Sequence, residues 1–319
     1  MAIETQPERA EPTGRGPEGV AARSWWLRPG VHTGLIGAVI GYLLGHLLGN
    51  FLGGGYSRSA LSDANDVAIV LGYAFAVIGW LAGLGVFNDL FLLMLGRPMP
   101  EEPRLLGKEE PGLGKYFRYT LDHKVVGIQY LYGMIGYFLT GGLFAMAIRS
   151  ELLSPSYHLI GPEQYLMVVG EHGTMMMMMM SSVILGPFGQ YFGPLLIGSK
   201  RVAFPRLEAL GFWLTPAAYV ILLSAVLMGG FPTGWTGYEP LATQATQGED
   251  AYFFAFGLMG ISMILAGFNM IVTIINYRAP GMRWSRLPMF VWSMFTVSFL
   301  QVLAVPVLVG ACFMGLADR

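Results

Sequence analysis

QYLMVVGEHGT, at residues 164–174, opens an apolar run that continues through six consecutive methionines to about residue 197. The run is longer than the roughly 20 residues that cross a bilayer as a helix. Within it, His172 lies about seven residues from the start, or roughly 10 Å along a helix. An ionisable side chain at that depth is costly and usually has a partner. His172 is therefore a candidate functional residue.

Apolar runs of similar length recur along the whole chain. Of the 319 residues, 54% are hydrophobic and 12% charged, where a soluble domain would carry about twice that charge. The sequence predicts an all-α membrane protein, a bundle of seven transmembrane helices. They are expected at roughly 32–53, 67–96, 125–148, 165–197, 208–230, 252–277 and 288–316. The net charge of −1 gives no indication of nucleic acid, and a lone Cys312 excludes a disulfide framework.

Lysine and arginine are distributed unevenly between alternate loops. Sixteen of the 19 fall in the N-terminal tail and in loops 97–124, 198–207 and 278–287. Only Arg58, Arg149 and Arg319 fall on the other side. Because cytoplasmic loops carry the excess of positive charge, we expect a cytoplasmic N-terminus and a C-terminus outside.

Composition also divides the chain into segments. Residues 1–30 predict a disordered cytoplasmic tail, because they hold almost no apolar run. The sequence predicts a two-helix transmembrane hairpin at residues 31–97 and a charged linker at 98–115. It predicts a bundle of five helices at 116–319. Glycines at 34, 37, 41, 45 and 49 recur in steps of three and four, so they share one helix face suited to close packing.

Two interpretations of His172 remain open from the residues alone. Neutral imidazole in an apolar bundle is a good axial ligand for haem iron. The alternative is a histidine bonded to the backbone of a neighbouring helix. His46, also within a span, is interpreted as a packing or interhelical hydrogen-bonding residue. Met175–Met180 form a run of six thioethers, a ligand type that binds Cu(I) in other proteins. Six consecutive residues point all round a helix, so they do not converge on one ion. Packing against a large planar ligand and neighbouring helices is the preferred interpretation.

Other polar and aromatic residues also have two interpretations. Arg149 ends the third span and either pairs with a haem substituent or extends to the membrane interface. Trp235 and Tyr238 are either interfacial aromatics or the base of a site at the outer helix ends. Five further polar residues lie within spans: Tyr130, Gln190, Glu208, Ser262 and Asn269. They hold either a water chain for protons or interhelical hydrogen bonds.

An ordered set of motifs extends over about residues 116–319. It comprises DHKVVG at 122–127, RSEL at 149–152, EHGT at 171–174, AFPR at 203–206, GWTGY at 234–238, Asn269, Asn276, RAPGM at 278–282, FVWS at 290–293 and ADR at 317–319. In order and spacing these segments resemble the first five helices of subunit I of the haem–copper oxygen reductases, the cytochrome c oxidase family. The two N-terminal spans fall outside the resemblance.

The resemblance implies roles for individual residues. His172 matches one of the two axial ligands of the iron in a low-spin haem. By the same resemblance that haem is of haem A type. Arg149, Tyr165 and Trp235 match residues at the periphery of that haem. Tyr130, Ser262 and Asn269 match polar positions that line the family's proton pathway from the cytoplasmic side, and Gln190 and Glu208 replace two asparagines of that pathway. Arg201 departs from the pattern, because the family has an acid there, and a cation opposes proton uptake. Glu208 is the expected replacement at the pathway entrance.

The resemblance implies that the family's remaining helices follow Arg319 and carry the second haem, the copper and their histidine ligands. We therefore expect the N-terminal part of the core subunit of a terminal respiratory oxidase, a cytochrome-c oxidase type oxidoreductase that reduces O₂ to water and is inactive as this chain alone. The implied partners are the C-terminal part of subunit I, oxidase subunits II and III, cytochrome c or quinol as electron donor, and the lipid of a bacterial-type plasma membrane. A non-catalytic haem-binding or scaffold subunit, a truncated gene remnant, a transporter and a nitric oxide reductase remain alternatives.

Overall fold

The computed structural model describes residues 28–52, 63–96, 112–156 and 158–319. Within these ranges it contains helices and turns but no strand, which confirms the prediction of an all-α protein. The α-helices are α1 (Val31–Leu52), α2 (Asp63–Gly83), α3 (Asn88–Met94), α4 (His123–Glu151), α5 (Pro162–Val183), α6 (Gln190–Leu196), α7 (Pro205–Ser224), α8 (Gly248–Asn276) and α9 (Met289–Asp318). Most of the predicted tail and linker lies outside the described residues.

Six helices in the described part of the chain are long and apolar enough to cross a membrane. The sequence predicts seven, and the difference is the expected span at 165–197. That segment is helical, and a π-helical turn at Ile184–Gly189, which contains Pro187, divides it into α5 and α6. With 22 residues α5 is long enough to cross a membrane, so its lower apolar content, with Glu171 and His172 in its middle, separates it from the other six. Proline removes a backbone donor from a helix, and π turns are frequent at functional sites.

The second predicted span is shorter than expected. The sequence predicts one helix over 67–96, whereas α2 ends at Gly83 and the short α3 begins only at Asn88. Gly85 between them has a positive φ of 82°, a left-handed conformation in which a helix does not continue. The membrane-crossing part of this apolar run is therefore α2 alone, and the chain turns at Gly85 before α3 begins.

The α1–α2 hairpin is packed through glycine, as its spacing predicts. Gly37 and Gly79 face each other so closely that a Cβ atom on either would overlap the carbonyl group of the other. Gly41 and Gly45 approach the backbone of α2 in the same way. Near the start of α1, the Thr33 hydroxyl donates to the Gly83 carbonyl at 2.7 Å. Close backbone approach of this kind is how helices associate within lipid, where no apolar surface is removed from water.

Enlarging one of these glycines is expected to destabilise the hairpin. Gly37→Leu places a side chain where the Gly79 carbonyl lies, and overpacking of this kind costs about 1–3 kcal/mol. Gly142→Leu on α4 is the matched control, because a Cβ there meets no atom within 4 Å. Thermal unfolding of the purified protein in detergent should show a lower midpoint for the first variant only. Equal midpoints would contradict the packing.

The hairpin also packs against the larger bundle. The Trp80 indole donates to the Trp213 carbonyl on α7 at 2.9 Å. The Tyr73 hydroxyl lies 2.6 Å from the Ser224 hydroxyl, and the Tyr73 ring packs at 5.8 Å from Phe254 on α8. These contacts bring α2 against the same helices, α7 and α8, that carry most of the buried polar residues described below.

Candidate functional site

His172 is anchored to the neighbouring helix α4. Its Nδ1 lies 2.8 Å from the carbonyl oxygen of Gly141, and the side chain is half-buried. Gly141 allows this approach, because a Cβ there would lie 3.0 Å from the Met176 sulfur and 3.2 Å from Met175 Cβ. The contact fixes the imidazole ring relative to two helices. The hydrogen bond to backbone that the sequence left as the alternative is therefore present in the structure.

This hydrogen bond and iron ligation are compatible, because they use different ring nitrogens. A carbonyl oxygen only accepts, so Nδ1 carries the proton and Nε2 keeps its lone pair. Metal-ligating histidines usually donate their other ring N–H to such a carbonyl, which sets the tautomer and the ring orientation. His172 and its hydrogen bond to the Gly141 carbonyl are thus compatible with a role as a haem ligand. His46 differs, because its ring stacks on Tyr42 at a centroid distance of 5.7 Å and its Nδ1 has no partner in the described part of the chain.

Trp235 lies directly beside the helix turn that carries His172. A Cβ on Gly173 would lie 3.4 Å from the indole ring, so glycine at 173 allows Trp235 to pack there. The Tyr252 hydroxyl donates to the Trp235 carbonyl at 2.6 Å and holds this part of the loop to α8. Trp235 remains 47% exposed.

Arg149 and Tyr165 lie farther along the same two helices. Tyr165 is in the first turn of α5, about 10 Å before His172, and Arg149 is in the last turn of α4, about 12 Å beyond Gly141. Arg149 is exposed and Tyr165 half-buried. Both are near the same end of the bundle, each about two helical turns from the His172–Gly141 contact. Tyr238 is 74% exposed, as an interfacial aromatic would be.

The methionine run is spread around α5. Met175 is fully buried, Met176 is half-buried and Met177 is 52% exposed. Neighbouring thioethers therefore point in different directions, as the helix period requires. The side chains of Met178–Met180 lie outside the described residues. The arrangement of the first three supports packing and not a copper site.

Two of the residues predicted for proton transfer, Glu208 on α7 and Asn269 on α8, form a buried hydrogen-bonded pair. Asn269 Nδ2 donates to Glu208 Oε2 at 2.9 Å, and the Phe204 N–H donates to Asn269 Oδ1 at 2.8 Å. Glu208 Oε1 is buried and has no hydrogen-bond partner among the described residues. Glu208 is only 1% exposed, and its role at the pathway entrance remains a prediction. The first turn of α7 is covered by its neighbours, which places this carboxyl inside the bundle.

Tyr130 on α4 and Ser262 on α8 both lie beside Gly211 of α7. The Ser262 hydroxyl donates to the Gly211 carbonyl on α7 at 2.7 Å, and a Cβ on Gly211 would lie 3.4 Å from the Tyr130 hydroxyl. Gln190 is also completely buried, directly after the π turn, and neither polar atom of its amide has a partner in the described ranges. Arg201, in contrast, is half-buried in the loop before α7 and has an interaction partner.

A network of charged groups at the start of α8 is the main feature that sequence reasoning missed. The Arg319 Nε donates to Asp250 Oδ1 at 2.5 Å, and its terminal nitrogens donate to the carbonyls of Ala242 and Thr246. The Thr233 hydroxyl lies 2.9 Å from both carboxylate oxygens of the adjacent Glu249. All three charged side chains are buried. The consecutive acids at the start of an apolar helix are a signal that could have revealed this network.

Comparison with known proteins finds a family match that extends over the residues described above. The family described as Cytochrome C and Quinol oxidase polypeptide I matches residues 125–319, which include α5 with His172 and all of α7–α9. The chain belongs to this family. Within the oxidase polypeptide I family, the residues that match are those of the five-helix bundle, and the α1–α2 hairpin precedes the matched region.

Several curated relatives are bacterial proteins named cytochrome c oxidase subunit 1. The chain is 42% identical to the one from Thermostichus vulcanus over 205 residues, which cover 64% of this chain and 37% of the relative. It is 39% identical to the one from Synechocystis sp. over 197 residues, covering 61% and 36%. It is 37% identical to that from Corynebacterium glutamicum over 230 residues, covering 70% and 39%. The chain therefore spans less than two-fifths of the length of these relatives.

Family membership and the six apolar helices together establish the setting of the protein. It is a multi-pass protein of the plasma membrane, related to core subunits of respiratory oxidases. The prediction of an oxidase subunit I relative in a membrane is confirmed. The roles of individual residues remain predictions.

Proposed function

We propose that this chain forms the N-terminal part of the core subunit of a terminal respiratory oxidase that reduces O₂ to water. The observation that carries the proposal is the geometry of His172, whose Nδ1 bonds to the Gly141 carbonyl and whose Nε2 keeps a lone pair. This residue lies within the region that matches the oxidase family. Its chemistry suits one axial ligand of a low-spin haem of haem A type.

The residues around His172 would bind and orient that group. When bound, haem supplies one-electron redox chemistry at its iron. Trp235 would pack at the edge of the group, while Arg149 and Tyr165, some 10–12 Å along α4 and α5, would bind its polar substituents. Gly141 and Gly173 keep the approach open, because a side chain at either position would crowd Met176 or Trp235.

The remaining polar residues would conduct protons through the bundle. Tyr130, Gln190, Glu208, Ser262 and Asn269 carry hydroxyl, amide and carboxyl groups that donate and accept hydrogen bonds within a membrane span. Glu208 Oε1 and the Gln190 amide have no protein partner among the described residues, as expected for groups that bind water. Glu208 would act inside this path, where it can hold or release a proton.

We further propose the orientation and partners of the chain. The distribution of lysine and arginine favours a cytoplasmic N-terminus, with the loop between α7 and α8 outside. The C-terminal part of subunit I would supply the second haem, the copper and their ligands. Subunits II and III would complete the complex, with cytochrome c or a quinol as electron donor. A two-thiolate copper site would belong to another subunit, because this chain has one cysteine, Cys312.

Purification of the chain with its co-purifying subunits from native membranes tests this function. We expect a reduced-minus-oxidised spectrum of low-spin haem and oxygen consumption with an electron donor. The chain expressed alone should consume no oxygen. A complex that contains this chain but binds no haem would overturn the proposal and favour a scaffold subunit.

Replacing Glu208 should slow proton uptake by the assembled complex. Glu208→Gln keeps the acceptor for Asn269 but removes the titratable group, and a positioned proton-transferring side chain contributes roughly a hundredfold or more. Stopped-flow measurement with a pH indicator gives the rate. Glu163→Gln, an exposed acid in the first turn of α5, is the control. Unchanged uptake in Glu208→Gln would remove Glu208 from the path.

A further inference from the structure

A small cavity lies where α4, the π turn, α8 and α9 meet. It is lined by Tyr130, Leu185, Gly186, Ser262 and Gln301, together with Met263 and Ala266. Its volume is about 10 Å³, which is at the lower limit for one water molecule. Because three of the lining side chains are polar, the cavity is a candidate water site and not an apolar void.

Two buried polar atoms of the lining residues have no hydrogen-bond partner in the described part of the chain. They are the hydroxyl oxygen of Tyr130 and the amide oxygen of Gln301. The Ser262 hydroxyl already donates to the Gly211 carbonyl, but it can still accept a hydrogen bond. A buried polar group without a partner costs about 1–3 kcal/mol, so these atoms favour a water molecule between them.

Two glycines give these side chains the space they occupy. A Cβ on Gly186, within the π turn, would lie 2.9 Å from the Tyr130 ring. A Cβ on Gly267 of α8 would lie 3.3 Å from the amide oxygen of Gln301. The irregular helix turn and both glycines therefore converge on one place. Irregular helix turns of this kind are often associated with function.

We propose that this cavity binds one ordered water molecule and that Gln301 holds it in place. The water donates a hydrogen bond to Gln301 Oε1 and bonds to the Tyr130 hydroxyl, with Ser262 Oγ as a third partner. Gln301 is then a positioning residue, which acts through the water and not on a substrate. Water binding stands independently, whereas a role for this water in proton conduction rests on the proposed function.

A structure of the assembled complex at a resolution that shows ordered water tests the site directly. We expect a density peak within hydrogen-bonding distance of Tyr130 Oη and Gln301 Oε1. Gln301→Met keeps the length of the side chain and removes its amide, so the peak should be lost. Ser298→Ala is the matched control one turn earlier on α9, because that hydroxyl is buried but bonded to the Met294 carbonyl of its own helix. An empty cavity in the unmodified protein, or a peak that persists in Gln301→Met, would overturn the proposal.

Proton-uptake kinetics on the same variants test the functional role. Gln301→Met should slow uptake about fivefold, the effect of losing one hydrogen bond of about 1 kcal/mol, while Ser298→Ala should not. Haem absorbance should be unchanged in both, which separates this effect from a general loss of structure. If the complex proves not to be an oxidase, the density test still decides the water site. If water is present but uptake is unaffected, the conduction role is wrong.

Discussion

Replacing His172 with leucine is expected to abolish binding of the low-spin haem. Leucine fills a similar volume but has no lone pair for iron and no donor for the Gly141 carbonyl. The reduced-minus-oxidised spectrum of the purified complex should lose its low-spin component, and oxygen consumption should fall to background. Loss of an axial ligand removes the group itself, so we expect an all-or-none change.

His46→Leu is the control for this experiment. His46 also lies in a predicted membrane helix, but its ring stacks on Tyr42 in the hairpin. That variant should retain the full haem spectrum. A normal low-spin spectrum in His172→Leu would show that the iron is held elsewhere, and the assignment of His172 would be withdrawn.

Breaking the ion pair between Arg319 and Asp250 is expected to cause the largest loss of stability. Arg319→Met removes the partner of the buried Asp250 and the donor to two loop carbonyls. Removing one member of a buried pair leaves an uncompensated charge and costs about 3–5 kcal/mol. Denaturation of the complex in detergent should begin at a clearly lower temperature, with the loop after α7 becoming sensitive to protease first.

A double variant distinguishes the ion pair from a general effect of mutation. Arg319→Met combined with Asp250→Leu removes both charges, so it should be more stable than Arg319→Met alone. Asp318→Asn changes an exposed neighbouring acid and should behave as the unmodified protein does. If Arg319→Met and Asp318→Asn unfold at the same temperature, the buried pair does not stabilise the loop.

The helical architecture was predictable from sequence because hydrophobicity and length determine whether a segment crosses a bilayer. Apolar composition indicated the spans, and glycine spacing indicated the packing face of α1. The second span was predicted too long, since apolar residues continue beyond Gly83 while the left-handed Gly85 ends the helix. The π turn within 165–197 was not predicted, because a π turn has no distinct hydrophobic pattern.

The candidate site was only partly predictable. The sequence singled out His172 and Trp235, and the structure brings Trp235 against the turn that carries His172. The sequence placed Glu208 at the start of a span, and the structure adds that its carboxyl is buried against Asn269. Gln301 received no role, although it is the only amide side chain in α9.

The sequence by itself determined that the chain is helical, lies in a membrane and carries His172 within a set of family motifs. Only the tertiary structure decided which polar groups meet. The Glu208–Asn269 and Asp250–Arg319 contacts join residues 61 and 69 positions apart. The helix period shows which residues share a face of one helix. It contains no information on the rotation and axial offset between two helices, which side-chain packing sets across the interface.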